Sequence, residues 1–486
     1  MASCSAPEVP ERPNFLILMS DNHSWNHLSC YGDATVRTPN IDRVAEDGVR
    51  FTHAFCPAPS CTPARASLLT GQDIWRLEEG ANLWGTLPNR FPVYTDLLEE
   101  AGYLVGFEGK GWGPGSYEAG GWSRNPAGDR YRSFEEFYNQ VERGQPFCYW
   151  FSSRDPHRPY AGDRGQGEGI DLDSIHVPPY LPDVPEVRGD IADYYAEVER
   201  FDRDVGGLLA LLSEYGAEQG TVVVVASDNG WQMPRGLANL YDAGTRVPLV
   251  ISAPGRFPGG RVVDDFVSLA DFAPTILELA GLPVPEEMTA TSLVPILDSD
   301  EEGVLDRERS FVVTARERHA FVRMGGLGYP ARAIRTREHL YIRNYAPDRW
   351  PAGDPPLFGD VDAHMLHYPS PTKMHLLQRP DESPVSELFE IAFAKRPAEE
   401  LYDLASDPHQ MNNVAAEGAY AAARQDLASR LEQYLAGTGD PRVTGGEMRW
   451  EGAQYFQERD FNPKPSPEAI EALGLDESYS YLSAGQ

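Results

Sequence analysis

The sequence has few cysteines, few positive charges and no long hydrophobic run. Its 486 residues include five cysteines, which show no metal-ligand spacing and leave one cysteine unpaired in any disulfide scheme. Lys and Arg total 42 against 74 Asp and Glu, which gives a formal net charge of −32. Such a field repels phosphate backbones and anionic lipids, so neither nucleic acid nor a membrane is expected as a partner. An anionic substrate would therefore need a locally positive site.

Membrane-spanning and secretory segments are not expected either. No stretch reaches the roughly 18 apolar residues that a spanning helix needs, and the longest apolar runs have the length of strands. The first 14 residues contain three prolines, two glutamates and no apolar core, unlike a secretory signal. We expect a cytoplasmic protein, or a periplasmic or secreted one if a leader has been removed from this chain.

Short apolar runs alternate with helical patterns over the first two-thirds of the chain, which predicts an α/β fold with a mostly parallel sheet. Apolar residues at three- and four-residue steps over 191–215 predict a long helix with one face on that sheet. Buried strands are predicted at 15–19, 103–107, 147–151, 221–226 and 247–251.

We expect two domains. The larger one, residues 1–370, would carry the chemistry. The smaller one, residues 371–486, would be a C-terminal α+β domain with a strand at 400–404 and a helix at 415–435.

Two predicted strands end in a carboxylate followed by an amide. The strand at 15–19 leads into Asp21 and Asn22, and the strand at 221–226 leads into Asp228 and Asn229. In open α/β sheets, chemistry lies just beyond the carboxyl ends of the strands. Oxygen donors of this kind favour Ca²⁺, with Mg²⁺ as the alternative, over zinc. Either pair alone would also be typical of a turn or a helix cap.

The segment from Cys61 to Gly71 reads Cys-Thr-Pro-Ala-Arg-Ala-Ser-Leu-Leu-Thr-Gly. Its Cys-x-Pro-x-Arg pattern resembles the signature of the type I, formylglycine-dependent sulfatases, and further matches extend to the C-terminal part. The resemblance implies an alkaline-phosphatase-like fold, in which helices sandwich a large, mixed, mostly parallel sheet. It also implies hydrolysis of a sulfated saccharide, with Cys61 oxidised by a formylglycine-generating maturation enzyme so that the aldehyde hydrate is the nucleophile.

The resemblance also assigns roles around that nucleophile. The metal would be held by Asp21, Asn22, Asp228 and Asn229. Arg65, one helical turn after Cys61, would place its guanidinium beside the nucleophile. Lys110, in Gly-Lys-Gly, would bind a sulfate oxygen, and His157, in Asp-Pro-His-Arg-Pro, would be the general acid. This cluster would supply the positive charge that an acidic chain needs to bind an anion.

Three further residues are expected to contact substrate. Trp112 stands where the family commonly has a histidine, so we expect it to stack on a sugar ring, with core packing as the alternative. Leu237 stands where the family often has a lysine, and the nearby Arg235 would supply that charge. Arg332, in Tyr-Pro-Ala-Arg, resembles a residue of the heparan N-sulfatase (sulfamidase) branch and would meet a sugar carboxylate or sulfate, or else pair with an acid.

Two other functions stay open from the sequence. A phosphonate monoester or phosphodiester hydrolase of the same superfamily can share the Cys-x-Pro-x-Arg motif. A non-catalytic protein that binds sulfated glycans would fit the changes at 112 and 237. The sequence leaves undecided the sugar, N- versus O-sulfate, exo versus endo action and the oligomeric state.

Overall fold

The computed structural model describes residues 12–160, 162–360, 370–457 and 467–475. The strands are β1 Asn14–Ser20, β2 Gly48–Phe55, β3 Leu104–Gly109, β4 Asp129–Arg130, β5 Phe147–Ser152, β6 Thr221–Ser227, β7 Leu249–Ser252, β8 Arg261–Ser268, β9 Phe311–Arg316, β10 Ala331–Thr336, β11 His339–Asn344 and β12 Glu399–Asp403. The α-helices are α1 Pro39–Glu46, α2 Cys61–Thr70, α3 Tyr94–Glu100, α4 Phe134–Tyr138, α5 Arg164–Gly167, α6 Pro185–Glu214, α7 Asp242–Thr245, α8 Phe272–Leu279, α9 Val294–Leu297, α10 Pro371–Gln378, α11 Val385–Phe393, α12 Ala421–Gly437, α13 Pro441–Thr444 and α14 Pro467–Leu473.

The main sheet has eight strands in the order β4-β3-β5-β1-β6-β7-β2-β8. Every neighbouring pair is parallel except the two pairs made by β7, which runs antiparallel to β6 and β2. The predicted α/β class and mostly parallel sheet are confirmed, and each of the five predicted strands is present in it. The sequence prediction did not include β2, β4 and β8.

Alternating residues of β1 divide between two hydrophobic cores. Phe15, Ile17 and Met19 pack on the side of α2 and α8, whereas Leu16 and Leu18 pack on the side of the long helix α6. Since side chains alternate along a strand, this pattern shows that helices cover both faces of the sheet. The predicted long helix at 191–215 corresponds to α6, which begins six residues earlier and ends at Glu214.

A second sheet of four antiparallel strands has the order β12-β11-β10-β9. Its core includes α12 through Leu427, Leu431 and Leu435. Three of its strands precede residue 370 and only β12 follows it, so the second sheet includes residues from both sides of the expected boundary, and the division into two domains stays a prediction. Within the described ranges, none of the helices combines the length and apolar character required to cross a bilayer.

Candidate active site

Six of the predicted site residues follow four neighbouring strands of the main sheet. Lys110 follows β3, His157 lies beyond β5, Asp21 and Asn22 follow β1, and Asp228 and Asn229 follow β6. Because these strands are adjacent and parallel, their carboxyl ends bring the side chains to one edge of the sheet. The arrangement of the sheet therefore assembles a site from segments far apart in the sequence.

Cys61 is the first residue of α2 and lies within this cluster. Its thiol donates to Asp21 Oδ1 at 3.4 Å and approaches Asn22 Oδ1 at 3.8 Å, and the Asn229 amide donates to Cys61 Sγ at 3.7 Å. All ten residues of α2 are buried, and the helix ends at Gly71 in the left-handed conformation. A buried, well-packed helix holds residue 61 in a fixed position against both oxygen-rich strand ends.

Arg65 joins the helix of residue 61 to the end of β6. Its Nε donates to Asp228 Oδ2 at 2.7 Å, and its Nη1 donates to the Gly111 carbonyl at 2.7 Å and to Ser152 Oγ at 2.5 Å. Its Nη2 is buried and has no hydrogen-bond partner among the described residues. That remaining N–H group leaves Arg65 with donor capacity for an oxygen bound at the site.

Lys110 donates from Nζ to Asp21 Oδ2 at 2.6 Å. The preceding Gly109 has φ of +82°, and a Cβ there would lie 2.0 Å from the Ser152 carbonyl oxygen, so the close passage of β3 along β5 requires glycine. Burial alone would raise the pKa of Asp21, but the charges of Lys110, His157 and Arg65 outweigh it and hold this pKa well below its usual range. Asp21 is therefore a stable carboxylate.

The pKa values of Asp228 and Cys61 are raised, whereas that of Asp21 is lowered. Burial and the neighbouring Asp21 carboxylate raise the pKa of Asp228, although Arg65 opposes that rise. Burial, followed by the two carboxylates, raises the pKa of the Cys61 thiol well above its ordinary value. An unmodified thiol in this environment stays protonated at neutral pH, and a protonated thiol is a poor nucleophile.

The four predicted metal ligands form a compact set of oxygens. Ligand atoms of Asp21, Cys61 and Asp228 lie within 4.8 Å of one another, and Asn229 Oδ1 is buried without a hydrogen-bond partner among the described residues. Asn22 adopts the left-handed conformation, with φ of 65°, and its backbone N–H donates to Asp228 Oδ1 at 3.1 Å. Two carboxylates and two amides fit a hard divalent cation better than zinc.

His157 lies on the loop after β5, and this loop is fixed at both ends. The Asp155 carbonyl accepts a hydrogen bond from the Asp21 backbone N–H at 2.8 Å, and the Asp155 carboxylate pairs with Arg200 of α6. Arg158 forms a buried bidentate pair with Asp190 of α6, at 2.7 and 2.8 Å. His157 itself is half-buried, and its Nδ1 contacts the Arg158 carbonyl.

A sulfatase family model matches residues 13–282, which is more than half of the chain. The chain belongs to the sulfatase family. It is 28% identical over 479 residues to human N-sulphoglucosamine sulphohydrolase, covering 88% of this chain and 91% of that protein. This membership confirms the predicted family and the enzyme class, sulfuric ester hydrolase.

Solved structures share the fold of this sulfatase. A protein in complex with its substrate D-glucosamine-2-N,6-O-disulfate matches with a TM-score of 0.64 at 20% identity, covering 90% of this chain and 100% of that one. The phosphonate monoester hydrolase of Agrobacterium radiobacter matches with a TM-score of 0.66 at 20% identity, covering 90% and 98%. The predicted alkaline-phosphatase-like fold is confirmed.

Trp112 does not lie where a sugar-stacking residue was expected. It is 2% exposed and belongs to the core beneath α2. Its backbone exchanges two hydrogen bonds with the Asn125 side chain, at 3.0 and 2.8 Å. In this sulfatase Trp112 therefore packs in the hydrophobic core, which was the alternative to stacking on a sugar ring.

Arg235 and Arg332 have hydrogen-bond and ion-pair partners outside the Cys61 cluster. Arg235 donates to the carbonyls of Ile391 and Gln410, and its guanidinium lies 3.9 Å from the Tyr241 ring centroid. Leu237, at the position where the family often has a lysine, is also buried. Arg235 is therefore held by these three partners, and its contact with a sulfate group stays a prediction.

Arg332 is fully buried between two carboxylates. It pairs with Glu317 at 2.8 Å and with Asp440 at 2.6 Å, and its charge is satisfied there. The expected contact with a sugar anion is thus replaced by the alternative of an internal ion pair, in which Arg332 ties β10 to the segments around Glu317 and Asp440.

Two residues near the site escaped the sequence interpretation. Ser152, the last residue of β5, binds Arg65, and His319 lies beside Ser60, with its Nδ1 2.9 Å from Ser60 Oγ. His319 comes from the segment after β9 in the second sheet. No local pattern marks it, because its position beside the nucleophile depends on how the second sheet packs on the first.

Proposed function

We propose that this protein is a carbohydrate sulfatase that uses a formylglycine at position 61 and a bound Ca²⁺ ion. The proposal rests mainly on the position and contacts of residue 61. It lies at the start of a buried helix, in contact with Asp21, Asn22 and Asn229, and beside a buried Arg65 nitrogen without a partner among the described residues. The proposal requires an external maturation enzyme that oxidises the Cys61 thiol.

Asp21, Asn22, Asp228 and Asn229 would hold the cation. When bound, a divalent ion supplies positive charge that acidifies a neighbouring hydroxyl and polarises a sulfate oxygen. Lys110 keeps Asp21 ionised, and Arg65 keeps its Nε on Asp228, so the ligand side chains are oriented before any cation arrives. Mg²⁺ is the alternative ion, although a site made mainly of carboxylate and amide oxygens from the protein favours Ca²⁺.

The remaining steps belong to the chain's own groups. The hydrate oxygen of residue 61 would attack the sulfate sulfur, while Arg65 and Lys110 stabilise the sulfate oxygens. The S–O or S–N bond to the sugar would break, His157 would donate a proton to the leaving atom, and the proton of the attacking hydroxyl would pass to solvent. The second hydroxyl of residue 61 would then lose its proton, the aldehyde C=O would re-form as sulfate leaves, and water would add to the aldehyde to restore the hydrate. Because His157 Nδ1 contacts a carbonyl, it carries a hydrogen, and Nε2 is the nitrogen that would exchange the proton.

A sulfated saccharide is the proposed substrate. The support is the similarity over most of both chains to N-sulphoglucosamine sulphohydrolase. The fold alone also fits a phosphonate monoester hydrolase, since one such structure matches equally well. Comparing turnover of an N-sulfated and an O-sulfated disaccharide with that of an aryl phosphonate tests this choice. Faster turnover of the phosphonate than of every sulfated substrate would contradict the proposal.

Peptide mass spectrometry of the segment around Cys61 tests the nucleophile, using protein made with and without a maturation enzyme. Formylglycine at position 61 and turnover that depends on it are expected. Cys61→Ala should lose all turnover and remain folded, because no neighbour replaces the nucleophile. Cys148→Ala is the matched control, since Cys148 is also a buried free cysteine but lies in the β5 core. Near-normal turnover by Cys61→Ala would overturn the mechanism.

A further inference from the structure

A cavity of about 700 Å³ lies on the α6 side of the main sheet, whereas the helix that begins with Cys61 packs on the other side. Its volume falls within the range of about 300–1,000 Å³ that is usual for ligand sites. None of the described residues that line it is a proposed metal ligand or catalytic residue. Trp231, Tyr180 and Tyr195 of its wall belong to the core under α6, whereas α2 belongs to the opposite core.

The wall between the two sites consists of backbone from two strand ends. The His23 N–H donates to the Asn229 carbonyl at 2.8 Å, which joins the segment after β1 to the segment after β6. The next residue, Ser24, adds a second link between these segments, since its Oγ donates to the Ala243 carbonyl at 2.8 Å. Ser24 and Trp231, which line the cavity, each follow a predicted metal ligand, Asn22 or Asn229, by two residues.

The charge of the cavity is opposite to that of the chain. Two carboxylates line it, Asp33 and Asp242, against four guanidinium groups, those of Arg235, Arg246, Arg335 and Arg337. Arg335 neutralises Asp242 through two hydrogen bonds of 2.8 Å. In a protein with a net charge of −32, such a local excess of cations marks a place where an anion can bind.

The mouth of the cavity adds aromatic surface. Trp25 and Tyr31 are partly exposed and meet edge to face, with ring centroids 6.0 Å apart, and the Arg246 guanidinium lies 3.7 Å from the Trp25 ring centroid. Arg337 is exposed beside them and donates to the Asp264 carbonyl at 3.0 Å. Amphipathic rings next to guanidinium groups suit a ligand with both C–H faces and anionic substituents.

We propose that this cavity is a second binding site for an acidic oligosaccharide, one that bears sulfate or carboxylate groups. The ligand class rests on the proposed function, since it is that of the proposed substrate. The site itself rests on the cavity, its charge and its aromatic mouth. Such a site would hold an acidic chain on the enzyme independently of the bond cleaved at Cys61.

Calorimetric titration of the full-length Cys61→Ala variant with a heparin-derived tetrasaccharide tests the proposal. We expect two tetrasaccharides per chain, and hydrogen exchange should show protection at 172–180 and 404–410 besides the catalytic loops. Arg337→Glu in the same background should weaken one of the two sites at least tenfold and remove that protection. Arg143→Glu is the control, since Arg143 is also exposed but precedes β5 at the opposite edge of the sheet.

Further probes define the chemistry. A hyaluronan tetrasaccharide has carboxylates but no sulfate, so comparing it with the heparin-derived tetrasaccharide shows whether the site needs sulfate. Binding of either tetrasaccharide at this cavity supports the site. Equally tight binding of neutral cellotetraose, or tighter binding of ATP, would overturn it. So would a single bound tetrasaccharide with protection confined to the catalytic loops, or unchanged binding by both Arg337→Glu and Trp25→Leu. Arg337→Glu should hydrolyse a small aryl sulfate at the normal rate. If the matured enzyme cleaves no sulfate, the proposed function fails while the binding result stands.

Discussion

Arg65 and Asp228 form a fully buried ion pair, with Nε and Oδ2 2.7 Å apart, that connects the helix of the nucleophile to the end of β6. One partner comes from the Cys-x-Pro-x-Arg segment and the other from the second metal segment, 163 residues later. A buried pair of this kind is costly to break, because the remaining charge stays buried without compensation. The pair therefore couples the geometry of the nucleophile to that of the metal site.

Replacing Arg65 by Gln should lower both stability and turnover. Asp228 would lose its main counter-charge, and we expect the free energy of unfolding to fall by about 3–5 kcal/mol. Urea unfolding and turnover of an aryl sulfate measure the two effects. Arg43→Gln is the control, because Arg43 is exposed on α1 and should tolerate the change. Full stability of Arg65→Gln would show that the pair does not maintain the site.

Calcium should raise the melting temperature, and Asn229→Ala should reduce that rise. A cation that binds only the folded state stabilises it by mass action, and Asn229 Oδ1 is an oxygen without another partner among the described residues. Thermal unfolding with Ca²⁺ or with a chelator gives the measurement. Asn239→Ala is the matched control, because Asn239 is a buried asparagine of the same loop. This variant should keep the full calcium response. An identical melting temperature of the parent protein in Ca²⁺ and in chelator would contradict the metal site.

Lys110→Met should lower turnover but enlarge the stabilisation by calcium. The Lys110 ammonium competes with a cation for Asp21, so its removal leaves this carboxylate with less neighbouring positive charge and a greater gain from a bound metal ion. We expect a lower melting temperature in chelator and a larger calcium-induced rise than in the parent. Lys395→Met, at an exposed lysine, should change neither quantity. A smaller calcium response in Lys110→Met would show that Lys110 does not compete with the ion.

Asp73 should make the protein less stable as the pH rises. Burial raises the pKa of Asp73 to about 7, despite hydrogen bonds from Tyr434 and Thr289, against 3.8 for an ordinary aspartate. Between these values the folded state keeps a proton that the unfolded state has lost, so stability falls from about pH 4 to pH 7. Asp73→Asn cannot titrate and should gain stability relative to the parent as the pH rises. Chemical unfolding from pH 4 to 8 measures this, with exposed Asp381→Asn as the control. Parallel pH profiles for Asp73→Asn and the parent would exclude this contribution.

The sequence by itself determined the class of fold, the family and the segments that form the site. Apolar runs of strand length and a long amphipathic helix depend on local periodicity, and the structure confirms them in β1, β3, β5, β6 and β7 and in α6. The segment from Cys61 to Gly71 identified the family because its residues are contiguous. The carboxylate–amide pairs were visible for the same reason, since each pair directly follows one strand.

Only the tertiary structure decided where single side chains of the later segments point. Trp112, Arg235 and Arg332 each matched a position near the expected site, yet each is buried with partners elsewhere in the chain. His319 lacked any pattern and still lies beside Ser60, because the second sheet packs against the start of α2. Local sequence specifies the elements through hydrophobic periodicity, whereas the direction of one side chain depends on the packing, charge and hydrogen-bond partners that distant segments bring to it.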